Sequence, residues 1–236
     1  MPRLTEQFVD ACLKLSDAEK SKLSDVERQL FGQSSIKIKC LLNNLCNKDG
    51  TRYLELGTYR GSTLVGALYG NAKTSAVGVD NFSYDFREPK KVAPDDSGWP
   101  NVKSGLYDIL QKYEIIENIK SNHLKIIEAS FGDVSWSSQP KFDIIYCDIE
   151  PITEEVYDHF FTKVFHAMSR QCVVLFSGYS SEESSKLLEQ KIEQYSDRLV
   201  TEFKKQRISS GNADAFAYYS GLAIYGFRKK AFAQND

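Results

Sequence analysis

Apolar residues recur at helical spacing from the start of the chain: Leu4, Phe8, Cys12 and Leu15, then Leu23, Val26 and Leu30, then Ile38, Leu41, Leu42 and Leu45. Charged residues fill the opposite face, which predicts two or three amphipathic helices ahead of the first strand. Ser16 followed by Glu19 has the spacing of a capping box, in which hydroxyl and carboxylate each satisfy a backbone donor, and so marks a helix restart. At Arg52 the period changes. Tyr53 to Leu56 reads as a short strand, Gly57 to Gly61 as a turn, and Ser62 to Tyr69 as a helix stopped by Gly70. A strand at Ser75 to Val79 follows, then a turn-rich excursion from Asp85 to Pro100, then a helix carrying Val102, Leu106, Ile109, Leu110 and Tyr113. Further strands are expected at Leu124 to Glu128, Phe142 to Cys147 and Cys172 to Phe176. Helices fall between and after the last two, one with Val156, Phe160, Val164 and Met168, the other from about Glu182 to Tyr195. Val200 to Ile208 and Ala215 to Phe227 read as a closing hairpin that turns near Ser209 to Asn212.

Short apolar strands separated by helices point to a parallel sheet covered on both faces, because parallel neighbours need crossover connections. The expected architecture is α/β: a doubly wound, mostly parallel seven-stranded sheet with a C-terminal antiparallel hairpin. Residues 1–49 form an N-terminal helical extension and residues 50–236 the sheet domain.

Composition narrows the field. A chain of 236 residues, 42% hydrophobic, supports one large core. With 30 basic and 32 acidic side chains the formal charge is −2, so no basic surplus advertises a nucleic-acid partner. The cluster Lys204, Lys205 and Arg207 reads as a solvated strand face. Cys12, Cys40, Cys46, Cys147 and Cys172 lack the short paired spacing of a zinc site or redox dithiol and read as reduced packing residues. The first ten residues lack a secretory pattern, and no apolar run approaches the ~20 residues needed to cross a bilayer. A cytoplasmic protein without membrane attachment is expected. The amphipathic N-terminal segment suits either the chain's own sheet or a second copy, so a homo-oligomer stays open.

The chemistry concentrates between the first strand and the helix after it. In Glu55-Leu-Gly57-Thr58-Tyr-Arg-Gly61-Ser62 the glycines permit close backbone approach, and the helix start offers N–H groups to a polar or anionic ligand. The glycine spacing is G-x-x-x-G rather than the G-x-G-x-x-G of a nicotinamide dinucleotide site, which disfavours NAD and an oxidoreductase. The next strand ends in Asp80, a carboxylate placed to accept two hydrogen bonds from ribose hydroxyls.

The run from Tyr53 to Thr63, with Val77-Gly-Val-Asp80 after it, resembles the class I S-adenosylmethionine-dependent methyltransferases, and within them the branch of small-molecule O-methyltransferases. The resemblance covers roughly residues 50 to 180. It implies a Rossmann-like sheet and S-adenosylmethionine as cofactor. It also implies that Glu55, Gly57, Thr58, Gly61 and Ser62 lie at the methionine part, Asp80 with Asn81 at the ribose, and Ser130 with Phe131 beside the adenine. Asp148, at the end of the fourth strand, then stands near the transferred methyl. The implied acceptor is a small molecule or a sugar hydroxyl, without nucleic acid. Asp148 and Glu150 are the positional candidates for accepting the acceptor's proton, the other reading being carboxylates hydrogen-bonded into the cofactor pocket. Two departures stand out. Pro151 occupies the place where that branch carries a histidine, and Ser177-Gly178 replaces the acidic or amide ligands of its metal-dependent members. One carboxylate is too few for a divalent cation, so no metal is expected. These departures keep alive a second reading, a catalytically silent binding or regulatory subunit with the same fold. His123, His159 and His166 read as ordinary residues beside a strand or on a helix. Tyr84, Phe86, Arg87 and Trp99 suit either an acceptor pocket or the anchoring of a loop by aromatics.

Overall fold

A computed structural model describes residues 4–28, 34–83, 102–115, 123–149, 152–179, 181–207 and 221–231. The elements in chain order are α1 (Glu6–Asp17), α2 (Asp25–Arg28), α3 (Ile36–Cys46), β1 (Arg52–Leu56), α4 (Ser62–Leu68), β2 (Ser75–Asp80), α5 (Val102–Lys112), β3 (Leu124–Glu128), β4 (Phe142–Cys147), α6 (Glu154–Thr162), β5 (Met168–Ser177), α7 (Glu182–Gln194), β6 (Leu199–Arg207) and β7 (Leu222–Lys229). Helices start where a hydroxyl accepts from an otherwise unsatisfied backbone N–H. Thr5 does so for α1, Ser35 for α3, Thr153 for α6 and Ser181 for α7.

The strands form one seven-stranded sheet in the order β3-β2-β1-β4-β5-β7-β6. Five strands run parallel, and β7 pairs antiparallel with both β5 and β6. Side chains alternate between two cores, as the strand period of two requires. Tyr53, Ile144, Tyr146, Val173, Leu175 and Ile224 face α1, α3, α4 and α5, while Leu54, Leu56, Ile145, Val174, Phe176 and Tyr225 face α6 and α7. This is the expected doubly wound, Rossmann-like architecture with a C-terminal antiparallel pair. No described helix is long and apolar enough to cross a membrane. All five cysteines are buried thiols.

Two local expectations change. Ser16 and Glu19 do not start a helix: Ser16 lies in the last turn of α1 with its hydroxyl donating to Leu13 O, and Glu19 adopts φ 53° in the turn beyond. The capping box belongs to Ser24 and Glu27 at α2, where the Glu27 carboxylate accepts from Ser24 N at 2.8 Å and Ser24 Oγ accepts from Val26 N. The helix expected to reach Met168 ends at Thr162; a 3-10 turn at Val164–Ala167 follows, and Met168 opens β5. Apolar residues at helical spacing cannot by themselves distinguish a continuous helix from one that ends and leads into a strand. The expected hairpin turn at 209–212 lies outside the described residues.

Candidate functional site

The strand order reverses between β1 and β4, each followed by a crossover to opposite faces. The resulting crevice at the carboxyl ends of the strands is where open α/β sheets bind ligands. A cavity of about 640 Å³ lies there.

Its floor is the turn after β1. Gly57 has φ 85°, and a Cβ on it would stand 2.2 Å from Asp148 O, so only glycine lets this turn pass the end of β4. Gly57 N donates to Val79 O at 2.9 Å and Asp148 N to Leu56 O at 2.8 Å, which ties the ends of β1, β2 and β4 together. Gly61 also has a left-handed φ of 80°, at the N-cap of α4. Between them Tyr59, at φ 47°, directs its N–H to Asp80 Oδ2 at 2.6 Å. Asp80 Oδ1 accepts from Phe82 N at 2.7 Å. The Asp80 carboxylate therefore braces two turns while still lining the cavity, and the second lone pair on each oxygen is available to a ligand.

Of the residues singled out from the sequence, Gly57, Thr58, Ser62, Asp80, Asn81, Ser130, Phe131 and Asp148 all line this one cavity. Gly61 stands behind it against Leu106. Glu55 lies beneath the floor, fully buried. Tyr53 Oη donates to its Oε2 at 2.5 Å and Thr63 Oγ1 to its Oε1 at 3.0 Å. Burial pushes its carboxyl up to about 8; the two hydrogen bonds oppose this and the charges of Asp148 and Asp80 add to it. The Tyr146 hydroxyl is pushed well up by burial and then by Asp148, and it hydrogen-bonds with Asp148 and Ser177. Glu150, Tyr84, Phe86, Arg87 and Trp99 lie outside the described residues.

The sequence reading missed one wall. Thr153, Val156 and His159 recur at every third position of α6, with Glu155 beside them, and all four line the cavity. The His159 ring meets Phe131 edge to face at 5.8 Å, and Phe131 O accepts from Trp136 Nε1 at 2.8 Å, which holds the turn after β3 in place. The i, i+3 spacing was present in the sequence, but nothing in it says which face of α6 turns toward the crevice. Ser34, from the connection into α3, lines the cavity too. The charged lining is one-sided: Asp80, Asp148 and Glu155 are acidic, His159 is the one titratable base, and no lysine or arginine occurs among the described lining residues. No group of His, Cys, Asp and Glu among the described residues is arranged to hold a metal ion.

No family model matches the chain, and no curated protein matches it by sequence. Solved structures do share its fold. A Podospora anserina methyltransferase bound to S-adenosylhomocysteine superposes with a TM-score of 0.54 at 13% identity, covering 98% of this chain and 99% of its own. A Pyrococcus horikoshii protein provisionally described as an RNA methyltransferase gives 0.51 at 13% identity, over 98% and 100%. A precorrin-6y C5,15-methyltransferase from Geobacter metallireducens gives 0.50 at 13% identity, over 88% and 97%. At such identities the likeness concerns the fold; it extends to methyltransferases of several kinds and does not single out the small-molecule O-methyltransferase branch.

Proposed function

We propose that this chain is an S-adenosylmethionine-dependent methyltransferase acting on a small-molecule or sugar hydroxyl. The observation that carries the reading is the convergence of the Gly57–Ser62 turn, Asp80–Asn81, Ser130–Phe131 and Asp148 on one cavity whose charged lining is acidic apart from His159. A pyrophosphate would meet repulsion there, whereas a cationic sulfonium is favoured by the same carboxylates. In this reading the turn holds the methionine part, Asp80 and Asn81 the ribose, and Phe131 with His159 and Val156 the adenine. Bound there, the cofactor supplies an already electrophilic methyl group. The protein's remaining tasks are to align the acceptor and to take up its proton, and Asp148, at the mouth of β4 with Tyr146 beneath it, is the described carboxylate positioned for the second. An acidic cavity also fits a neutral or cationic acceptor better than a polyanion.

Isothermal titration with S-adenosylmethionine, S-adenosylhomocysteine and NAD tests the cofactor: saturable binding of the first two and none of NAD is expected. Asp80→Ala should abolish measurable binding, and retained affinity would remove Asp80 from the ribose. One observation favours the silent-subunit reading: both Asp80 oxygens already accept from the backbone, as a purely structural residue would. Binding of S-adenosylmethionine without formation of S-adenosylhomocysteine across a broad acceptor screen is the outcome that reading expects.

A further inference from the structure

At the opposite end of the sheet a second cavity, of about 570 Å³, opens where β1, β4 and β5 begin and β7 ends. Its charge is the reverse of the first. Lys48, Arg52, Lys141, Arg170 and Arg228 line it against only Asp49 and Asp143. Asp143 is already neutralised. It is buried and accepts from Arg52 Nε at 3.0 Å and Nη2 at 2.8 Å, from Arg52 N at 3.1 Å and from Ser169 Oγ at 2.7 Å. Asp49 points to Lys73 at 2.6 Å on the exposed surface, and Arg228 pairs with Glu202 at 2.8 Å. The Arg170 side chain is exposed and makes no ion pair or hydrogen bond among the described residues. Lys141 spends one of its three donors on His166 O.

The backbone is built to present these groups. The β4–β5 ladder pairs Phe142 with Met168 and then Ile144 with Val173, so Ser169 to Cys172 stand opposite Asp143 alone in that ladder, while Gln171 and Cys172 stay paired with Arg228 and Phe227 of β7. Bulges that re-aim side chains in this way gather next to binding sites. Here the bulge turns Ser169 into the bracket that locks Arg52 onto Asp143 and leaves Arg170 and Gln171 on the cavity wall. The positive field also reaches the neighbouring Lys229, whose amine burial, and then Lys141, hold down to about 8.

We propose that this cavity is a second binding site, for a phosphate-bearing anion, held by Arg170 and Lys141 with Lys48 and Arg228 around it. A guanidinium fork and ammonium groups spread over a cavity this wide match an anion of two or more charges, and Arg170 can meet one phosphate with two parallel hydrogen bonds. The site is distinct from the acidic cavity. The six residues of β4 separate the two by roughly 20 Å, so occupancy here does not require the cofactor reading to hold.

Calorimetric titration with pyrophosphate and with ATP tests it on the full chain, beside Arg170→Ala with Lys141→Ala, Arg170→Glu, and the exposed control Lys186→Ala. Saturable binding by the wild type and the control is expected. The double variant should lose about tenfold or more in affinity, and Arg170→Glu should lose as much. Thermal unfolding identical to the wild type would show that the variants fold. A short single-stranded RNA identifies the source of the phosphate: salt-sensitive binding much tighter than pyrophosphate, lost in the same variants, assigns the site to a nucleic-acid backbone, and equal or weaker binding assigns it to a free anion. Absence of binding by every probe, or equal affinity in wild type and variants, overturns the proposal.

Discussion

Glu55 and Tyr157 carry the two most direct consequences at the level of single residues. In the unfolded chain Glu55 titrates near the ordinary carboxylate value of 4.5, and in the folded protein near 8. Between those values the folded state holds a proton that the unfolded state has released, so stability falls as pH rises through this window and levels off above it. Glu55→Gln removes the titration. Relative to the wild type it should gain stability at pH 8.5 compared with pH 5.5, on the order of a few kcal/mol, read from denaturant midpoints. An identical pH dependence in both proteins would count against a raised carboxyl. Tyr157 is buried in the second core, and among the described residues its hydroxyl finds no hydrogen-bond partner. Tyr157→Phe should therefore raise stability by about 1 kcal/mol, since a buried unsatisfied hydroxyl costs more than it returns; a loss of stability would reveal a partner for it. The places of Gly57 and Asp80 at the cavity were legible as residues, because a tight turn after a strand calls for glycine at positive φ and a carboxylate at a strand tip can brace the turns beside it. His159 was not legible, because its importance comes from Phe131 opposite, 28 positions away in the chain.

Among elements, the β1–α4 turn is the most demanding piece of backbone, with Gly57, Tyr59 and Gly61 all at positive φ within five residues. Gly57→Ala must strain φ and push a Cβ into the backbone carbonyl of Asp148, so it should cost about 2 kcal/mol or more and reduce ligand binding as well. Gly61→Ala meets only the tip of the Leu106 side chain, which can move, and should cost visibly less. Urea midpoints for the two variants at unchanged slope give the comparison, and equal costs would argue that the Asp148 contact yields. Most helices could be read from periodicity because each covers a core on one face, and the central strands from short apolar runs because both of their faces are covered. The capping box was misplaced by eight residues, from Ser16 to Ser24, because both serines precede a glutamate at the same spacing. The choice depends on whether α1 has already ended there, which its packing against α3 decides. The edge position of β6 could have been read: LVTEFKKQR is mostly polar and carries the lysines that protect an edge, whereas LAIYGFRK in β7 is largely apolar and belongs inside the sheet.

For the molecule as a whole, the sheet puts an acidic cavity at one end and a basic one at the other. If the acidic cavity holds the proposed cofactor, S-adenosylhomocysteine at about 100 times its Kd should stabilise the fold by about 2.7 kcal/mol. For a chain of this size that amounts to a rise in melting temperature of roughly 5–10 °C, measurable by calorimetry, and NAD at the same concentration should give none. The chain's own pattern determined the class of fold, the parallel run of strands, the terminal antiparallel pair and most of the cavity floor. Those features follow from local rules: side-chain period, turn chemistry and the need of parallel strands for crossovers. Only the tertiary structure decided that α6 turns Thr153, Val156 and His159 toward Phe131, and that Glu55 lies under the floor rather than on it. It alone gathered Lys48, Lys141, Arg170 and Arg228, spread over 181 positions of the chain, around one opening, because proximity between segments so far apart is set by which faces pack together and not by any period along the sequence.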